Sequence, residues 1–286
     1  MNSEPLVSVL MTSYNREQFI AEAIESVLAS TYTNFELIIV DDVSQDKTVK
    51  IARGYVDNDD RVKLHINKKN LGDYPNRNNA VGLATGKYIM FCDSDDMFFP
   101  DSVSYCVDAM EHNLEAKFGI YYSGKEKLPF LLSSDEVIKM NFFDKPILNM
   151  GPGGTMINRD FFIKINRYPD KYGPANDMYF NIKAAANSDV LFLPKLFLDY
   201  RIHENQEKNN HFGYLHNGYN YMKDALSELP LPLSDKQKTW LSLKNKRRFL
   251  VNITRYYFKT WDLKKTKQAI KNTNYGFKDA LAGVFH

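Results

Sequence analysis

Cysteine is scarce in this 286-residue sequence, and Cys92 and Cys106 offer neither a metal-ligand spacing nor a disulfide framework. That excludes a small disulfide-stapled scaffold and suits a reducing cytosol. Long hydrophobic runs are missing too. No stretch approaches the roughly 20 apolar residues of a membrane-spanning helix. The polar Met1 to Pro5 and the short apolar Leu6 to Met11 do not have the form of a signal peptide. A soluble or peripheral cytoplasmic protein is expected. There is no Gly-x-Gly-x-x-Gly after the first apolar run and no Gly-x-x-x-x-Gly-Lys-Ser/Thr, so neither a dinucleotide fold nor a P-loop is indicated. The basic residues come with no recognition motif for nucleic acid, which is not an expected partner.

What is present is enough for a sizeable core, as one large domain or a domain with an appendage. The formal net charge of +2 conceals an asymmetry: residues 236–286 hold 13 Lys or Arg against Asp262 and Asp279, leaving about −9 on the preceding part.

Apolar runs at Leu6–Met11, Phe35–Val40, Val62–Ile66 and Tyr88–Cys92 read as strands. Phe19, Ile20, Ala23, Ile24, Val27 and Leu28 recur at helical spacing, Asp46 can cap a helix running to about Tyr55, and Arg77–Ala84 reads as a short helix closed by Gly86. Four alternations of strand and helix predict an α/β protein with a mostly parallel sheet covered by helices on both faces. Such sheets bind ligands at the carboxyl ends of their strands. Three of those ends carry polar clusters: Thr12-Ser13-Tyr14, Asp41-Asp42, and Asp93-Ser94-Asp95-Asp96.

The last cluster ends a buried strand in three carboxylates. Acids so close raise one another's pKa unless a cation neutralises them, which points to Mg²⁺ or Mn²⁺ with phosphate in its remaining positions. A solvated turn that caps the next helix is the alternative.

Taken in order, these segments resemble the inverting family 2 glycosyltransferases, whose catalytic domain has the GT-A fold. The resemblance lies in Val7 to Arg16, with Thr12 where many members have proline; in Ile39 to Asp46; in Asn70-Leu71-Gly72 and Arg77-Asn78; and in Gly86 to Asp96. It covers about residues 5–205. It implies a metal-dependent transfer of sugar from a nucleotide sugar, a UDP sugar, to a hydroxyl of a glycan or lipid-linked acceptor, in the setting of surface polysaccharide synthesis. Thr12 and Tyr14 would then contact the base and ribose, Asp42 the base, Arg77 the base or diphosphate, and Asp93 the ribose. Asp95 would hold the metal, or Asp96 if the register slips by one. For Arg77 a surface helix cation is the plain alternative.

Further along, Gly151 to Arg159 resembles the family's glycine-rich segment beneath the sugar, and Gly173 to Phe180 its Glu-Asp motif, with Asn176 in place of the glutamate. Asp177 is then the expected general base, although a carboxylate here can also cap the following helix. Tyr200-Arg201-Ile202-His203 resembles the segment that ends the catalytic domain, where His203 would complete the metal shell or bind diphosphate, unless it is structural.

The expected organisation is a catalytic domain over 1–210, with a nucleotide half to about 100 and a sugar and acceptor half after it. A basic helical extension follows over 211–286. Its aromatic residues Tyr256, Tyr257, Phe258 and Trp261 lie among lysines, which suits packing on the catalytic domain or a second subunit, or contact with anionic lipid at the inner face of a membrane. Two other functions remain open. A sugar-phosphate nucleotidyltransferase has a similar sheet but would need a lysine-bearing glycine loop after Met11. A silent nucleotide-sugar-binding module is suggested by Asn176.

Overall fold

A computed structural model of the chain describes residues 4–202 and 210–285. The first half is β1 (Val7–Ser13), α1 (Ile20–Leu28), β2 (Phe35–Asp41), α2 (Thr48–Val56), β3 (Val62–Ile66), α3 (Asp73–Leu83) and β4 (Tyr88–Phe91). The middle adds β5 (Met97–Phe98), α4 (Ser102–Glu111), β6 (Phe118–Tyr121), β7 (Phe130–Leu132), α5 (Ser134–Phe143), β8 (Thr155–Asn158), α6 (Arg159–Lys164), α7 (Asn176–Asn187), β9 (Val190–Leu193) and β10 (Leu198–Asp199). Four helices close the chain: α8 (His211–Glu228), α9 (Asp235–Thr260), α10 (Leu263–Thr273) and α11 (Phe277–Val284).

One eight-stranded sheet, in the order β3-β2-β1-β4-β8-β6-β9-β7, organises the molecule. Strands β1 to β4 run parallel, β8 runs against both β4 and β6, and β7 runs against β9. The expectation of a mostly parallel, doubly covered sheet is met, and the reason is visible along single strands. Leu37 and Ile39 enter one apolar cluster with α1, α2 and α4, while Ile38 and Val40 enter another with α3, α5, α6 and α7. Burial of both faces is what makes these strands continuously apolar rather than alternating.

Two sequence expectations shift. Helix α3 starts at Asp73, a turn before Arg77, because Pro75 lies in the first turn, where its missing N–H has no intrahelical partner to lose. Gly86 does not close it: Ala84 is the cap. A Cβ on Gly86 would stand 2.6 Å from the Ser8 amide nitrogen and 2.7 Å from the Leu6 carbonyl oxygen, so this glycine serves the close approach of β4's lead-in to β1.

The expected break at Leu229 to Pro232 and the Ser234 cap are both present, the latter as a capping box with Gln237. Ala225, Leu226 and Leu229 at the end of α8 join the same apolar cluster as α7, whereas Tyr219, Phe249, Ile253, Ala269 and Tyr275 make a separate small core among the last helices.

Candidate active site

A cleft of about 690 Å³ lies at the carboxyl ends of β1, β2 and β4. Its floor is built by the turns after those strands. The turns after β1 and β2 are stitched to each other: the Asn15 amide donates to Ser44 Oγ at 2.9 Å, and Asn15 Oδ1 accepts from the Gln45 amide at 2.8 Å. Both turns need left-handed backbone, at Asn15 (φ 52°) and at the β-branched Val43 (φ 69°), a conformation Val rarely adopts. Asp41 holds them, accepting from Ser13 Oγ at 3.1 Å and from the Ser44 amide at 2.8 Å.

Its neighbour Asp42 has a different role. Its carboxylate accepts from Asn67 Nδ2 (2.8 Å) and from the amides of Leu71 and Gly72 (2.8 and 2.9 Å), so it anchors the Asn70–Gly72 turn. Asp42 lines the cleft, as do Thr12 and the half-exposed Tyr14.

Arg77 is not a surface cation: it is only 6 % exposed, beneath the cleft floor. Its two terminal nitrogens grip Asp93 at 2.6 and 2.9 Å, Nε donates to Asp73 at 2.8 Å, and the guanidinium lies over the Phe91 ring. This fork fixes the position of the first acid of the cluster.

Asp93, Asp95 and Asp96 offer carboxylate oxygens that lie within 4.8 Å of one another. Both oxygens of Asp93 are taken by Arg77, Asp95 meets Arg16 Nε at 3.1 Å, and Asp96 accepts from the Arg201 amide at 3.2 Å. Burial, with Asp93 and Asp95 close by, pushes Asp96 up to about 8 against the pull of that amide. A buried acid under this much like charge, in an all-oxygen donor set, fits a hard divalent cation at Asp95 and Asp96. His203, the third expected ligand, lies outside the described residues.

Asp177, 6 % exposed, lines the same cleft. Burial raises its carboxyl to about 7, although the Met178 amide, donating at 2.7 Å, and the charge of Arg77 both pull it down. It does not cap α7. The helix begins at Asn176, the N-cap position is Ala175, and Asp177 sits inside the first turn. Asn176 explains its own presence: Oδ1 accepts from the Tyr172 amide (2.9 Å) while Nδ2 donates to the Gly173 carbonyl (2.8 Å). A glutamate at 176 has no donor for the second bond.

The turn Gly151–Gly154 lines the same cleft. A Cβ on Gly153 would come within 2.8 Å of Leu198 Cδ2, and the nearest side-chain atom to a Cβ on Gly151 would be Asp177 Oδ2 at 3.9 Å. Gly153 is therefore needed for packing, and Gly151 faces the cleft.

Sequence reasoning misses the roles of Arg16 and Arg201, although both lie within the motifs that carry the resemblance. Arg16 lines the cleft beside Asp95. Arg201 donates to the Asp95 carbonyl (2.5 Å) and the Phe19 carbonyl (3.1 Å) and pairs with Glu22, closing the end of the domain over the acidic corner. The signal is the arginine itself, set one residue after a left-handed asparagine in the first case and two before a histidine in the second.

Comparison with known proteins adds a name to this geometry. The sequence model of glycosyl transferase family 2 matches residues 8–171. EpsE of Bacillus subtilis, a provisionally named glycosyltransferase, is 48 % identical over 35 % of this chain, which spans 36 % of EpsE's length. An uncharacterized glycosyltransferase of Methanocaldococcus jannaschii is 34 % identical over 70 % of this chain and 71 % of its own. Among solved structures, S. aureus TarS in complex with UDP-GlcNAc superposes with a TM-score of 0.73 at 20 % identity, over 93 % of this chain and 79 % of that one. The mannosyltransferase PcManGT of Pyrobaculum calidifontis, in complex with GDP-Man and Mn²⁺, superposes at 0.63 with 13 % identity, over 99 % of this chain and 88 % of its own. These neighbours share the GT-A fold, and with a family model spanning more than half its length the chain belongs to glycosyl transferase family 2.

Proposed function

We propose that the protein transfers a sugar, with inversion, from a nucleoside diphosphate sugar to a hydroxyl of a glycan or lipid-linked acceptor, in surface polysaccharide synthesis. The observation that carries this reading is that one cleft is lined both by a three-carboxylate corner, Asp93 to Asp96, and by the buried carboxylate Asp177. A UDP sugar is the donor of choice: UDP-GlcNAc is what TarS holds in its complex, and Tyr14 at the cleft mouth suits a flat base.

In this reading Thr12 and Tyr14 meet the base and ribose. Asp42 contributes by holding the Asn70–Gly72 turn against the base, and Arg77 by aiming Asp93 at the ribose. Arg16, beside Asp95, faces the diphosphate. Asp95 and Asp96, with His203 as a further candidate, would hold Mn²⁺ or Mg²⁺, which when bound offsets charge developing on the leaving diphosphate.

Asp177 is the general base. The acceptor oxygen attacks C1 from the face opposite the diphosphate and gives its proton to Asp177. The bond from C1 to the phosphate oxygen breaks, and its electron pair leaves with the diphosphate. A carboxyl raised to about 7 is well matched to this at neutral pH, since it is partly ionised yet basic enough to take the proton.

Release of UDP from a panel of UDP sugars in the presence of Mn²⁺ tests the reading. The Asp177→Asn variant should lose turnover by about 100-fold or more and keep its affinity for UDP. Unchanged turnover in that variant would remove Asp177 as base. UDP binding without turnover in the wild type would leave a silent binding module. No helix among the described residues is long and apolar enough to cross a membrane, and contact with lipid is proposed below through the last helices.

A further inference from the structure

The donor cleft has neighbours. Two smaller cavities, of about 250 and 240 Å³, lie beside it among α5, α7, α8 and α9. Asn149 and Met178 line all three spaces, and Tyr221, Asn245 and Arg248 line both of the smaller ones. The junction is held firmly. Buried Asn181 donates to the carbonyls on either side of Asn149, at 2.9 Å to Leu148 and 2.7 Å to Met150. The Met178 amide is itself the donor to Asp177. The smaller cavities therefore share Met178 with the wall that carries the expected base.

The smaller cavities carry a cation of a particular kind. Arg248 donates to the Asn245 carbonyl oxygen Oδ1 at 3.2 Å and to the Gly218 carbonyl at 3.4 Å, and hydrogen-bonds the Tyr221 side chain. All three partners are neutral, and among the described residues no carboxylate pairs with it. Asn245, buried and tied to the Tyr219 carbonyl at 3.0 Å, keeps the guanidinium in place. Arg77 forms the contrast, with carboxylates on both edges. Lys244, lying over the Trp240 ring at 4.8 Å, adds a second positive charge to the groove, and Asp144 is the acid on its lining. A guanidinium positioned by neutral oxygens keeps its charge available for an incoming anion.

We propose that this groove is the acceptor site, and that it takes a saccharide chain bearing an anionic group, phosphate or carboxylate, a few units from the accepting hydroxyl. The proposal rests on the transferase reading for its placement beside Asp177. It gives the C-terminal helices a function, because α8 and α9 supply the wall and the charge that select the acceptor.

Ligand-observed NMR with saturating UDP and Mn²⁺, so that the donor cleft is filled, tests the proposal. The probes are trigalacturonate, maltose 1-phosphate and neutral maltotriose. The wild type should hold at least one anionic probe at least about tenfold more tightly than maltotriose, the scale of one charge-assisted contact. Arg248→Gln combined with Lys244→Gln should abolish that preference while UDP affinity and melting temperature stay unchanged. Lys264→Gln, on α10 and outside the groove lining, should leave the preference intact. Equal binding of anionic and neutral probes, or a preference that survives the double substitution, would overturn the proposal with the transferase reading untouched. Failure of UDP to bind, with an Arg248-dependent preference still present, would sink the transferase reading and leave the groove standing.

Discussion

At the scale of the residue, the chemistry here turns on how burial treats like side chains differently. Asp93 and Asp177 are both half-hidden or hidden carboxylates. Asp93 has the Arg77 fork on both oxygens, and Asp177 has one amide and a more distant share of the same arginine. The consequence for Asp177 is measurable. Its folded pKa near 7 exceeds its ordinary value near 4, so the folded protein holds this proton more tightly than the unfolded chain. Stability is therefore lost as pH rises from about 4 to about 7, and the loss is complete above that. Burial sets the value, the Met178 amide and Arg77 lower it, and Asp73 raises it. Asp177→Asn should melt at least about 3 °C above the wild type at pH 8 and equal it near pH 4, the usual relation of an active-site charge to stability. Wild-type turnover should rise through an apparent pKa near 7. A lower melting temperature for the variant at pH 8 would mean that the carboxylate is held favourably and has no raised pKa. Identity is legible at this scale: Tyr14, Asp42, Asp93, Asp95, Asp96 and Asp177 all stand out in the sequence, and all line the cleft. The raised pKa of Asp96 and of Asp177 is not, because it comes from burial and from Asp93, Asp95, Arg201, Arg77 and Asp73, which other segments or turns bring near.

At the scale of the element, the nucleotide half is locked by one buried glutamate. Glu36, on β2, accepts from Ser8 Oγ of β1 (2.6 Å), from the amide and hydroxyl of Thr85 ahead of β4 (both 2.8 Å), and from Lys63 of β3 (2.6 Å). Burial alone would raise its pKa, but the bonds from Lys63, Ser8 and Thr85 outweigh it and hold the carboxyl at about 2. A depressed folded pKa contributes stability that is present above the ordinary value near 4.5 and is lost as pH falls toward 2. Glu36→Gln keeps the shape but removes the charge-assisted bonds, and should cost about 1–3 kcal/mol in urea unfolding at pH 7. The difference should narrow on acidification, and UDP affinity should not change. A variant as stable as the wild type at pH 7 would show that the four-strand tie contributes nothing. The first four strands are legible because both faces are buried and the runs are continuous. β8 is not: it sits antiparallel between β4 and β6, a place chosen by the packing of the second half and written in no local pattern of Thr155 to Asn158.

At the scale of the whole molecule, the basic appendage has a conspicuous outer face. Helix α11 turns its small residues inward: Ala280 packs against the last small core, and a Cβ on Gly283 would meet the Arg247 amide nitrogen at 2.9 Å. Its large apolar residues Phe277, Leu281 and Val284, and Phe285 just past its end, are exposed, Phe277 by 78 % and Phe285 by 85 %. An apolar stripe on a segment of net charge near +11 is what an anionic bilayer attracts, first by charge and then by apolar insertion. The protein should therefore co-sediment with vesicles containing phosphatidylglycerol at low salt and release at high salt. Phe277→Ser with Phe285→Ser should weaken that binding. Equal recovery with neutral phosphatidylcholine vesicles, or no binding to either, would rule out the membrane role. Composition and local pattern alone established the charge imbalance, the lack of spanning helices, the α/β class and the acids at the strand ends, because these follow from covalent order. Tertiary structure alone decided that Arg77 is buried against Asp93, that Asp177 lines the same cleft as the acidic corner, and that two smaller cavities lined by Arg248 share walls with that cleft. Those relations join residues far apart in the chain, and only the closing of the sheet and the docking of α8 and α9 bring them within reach of one another.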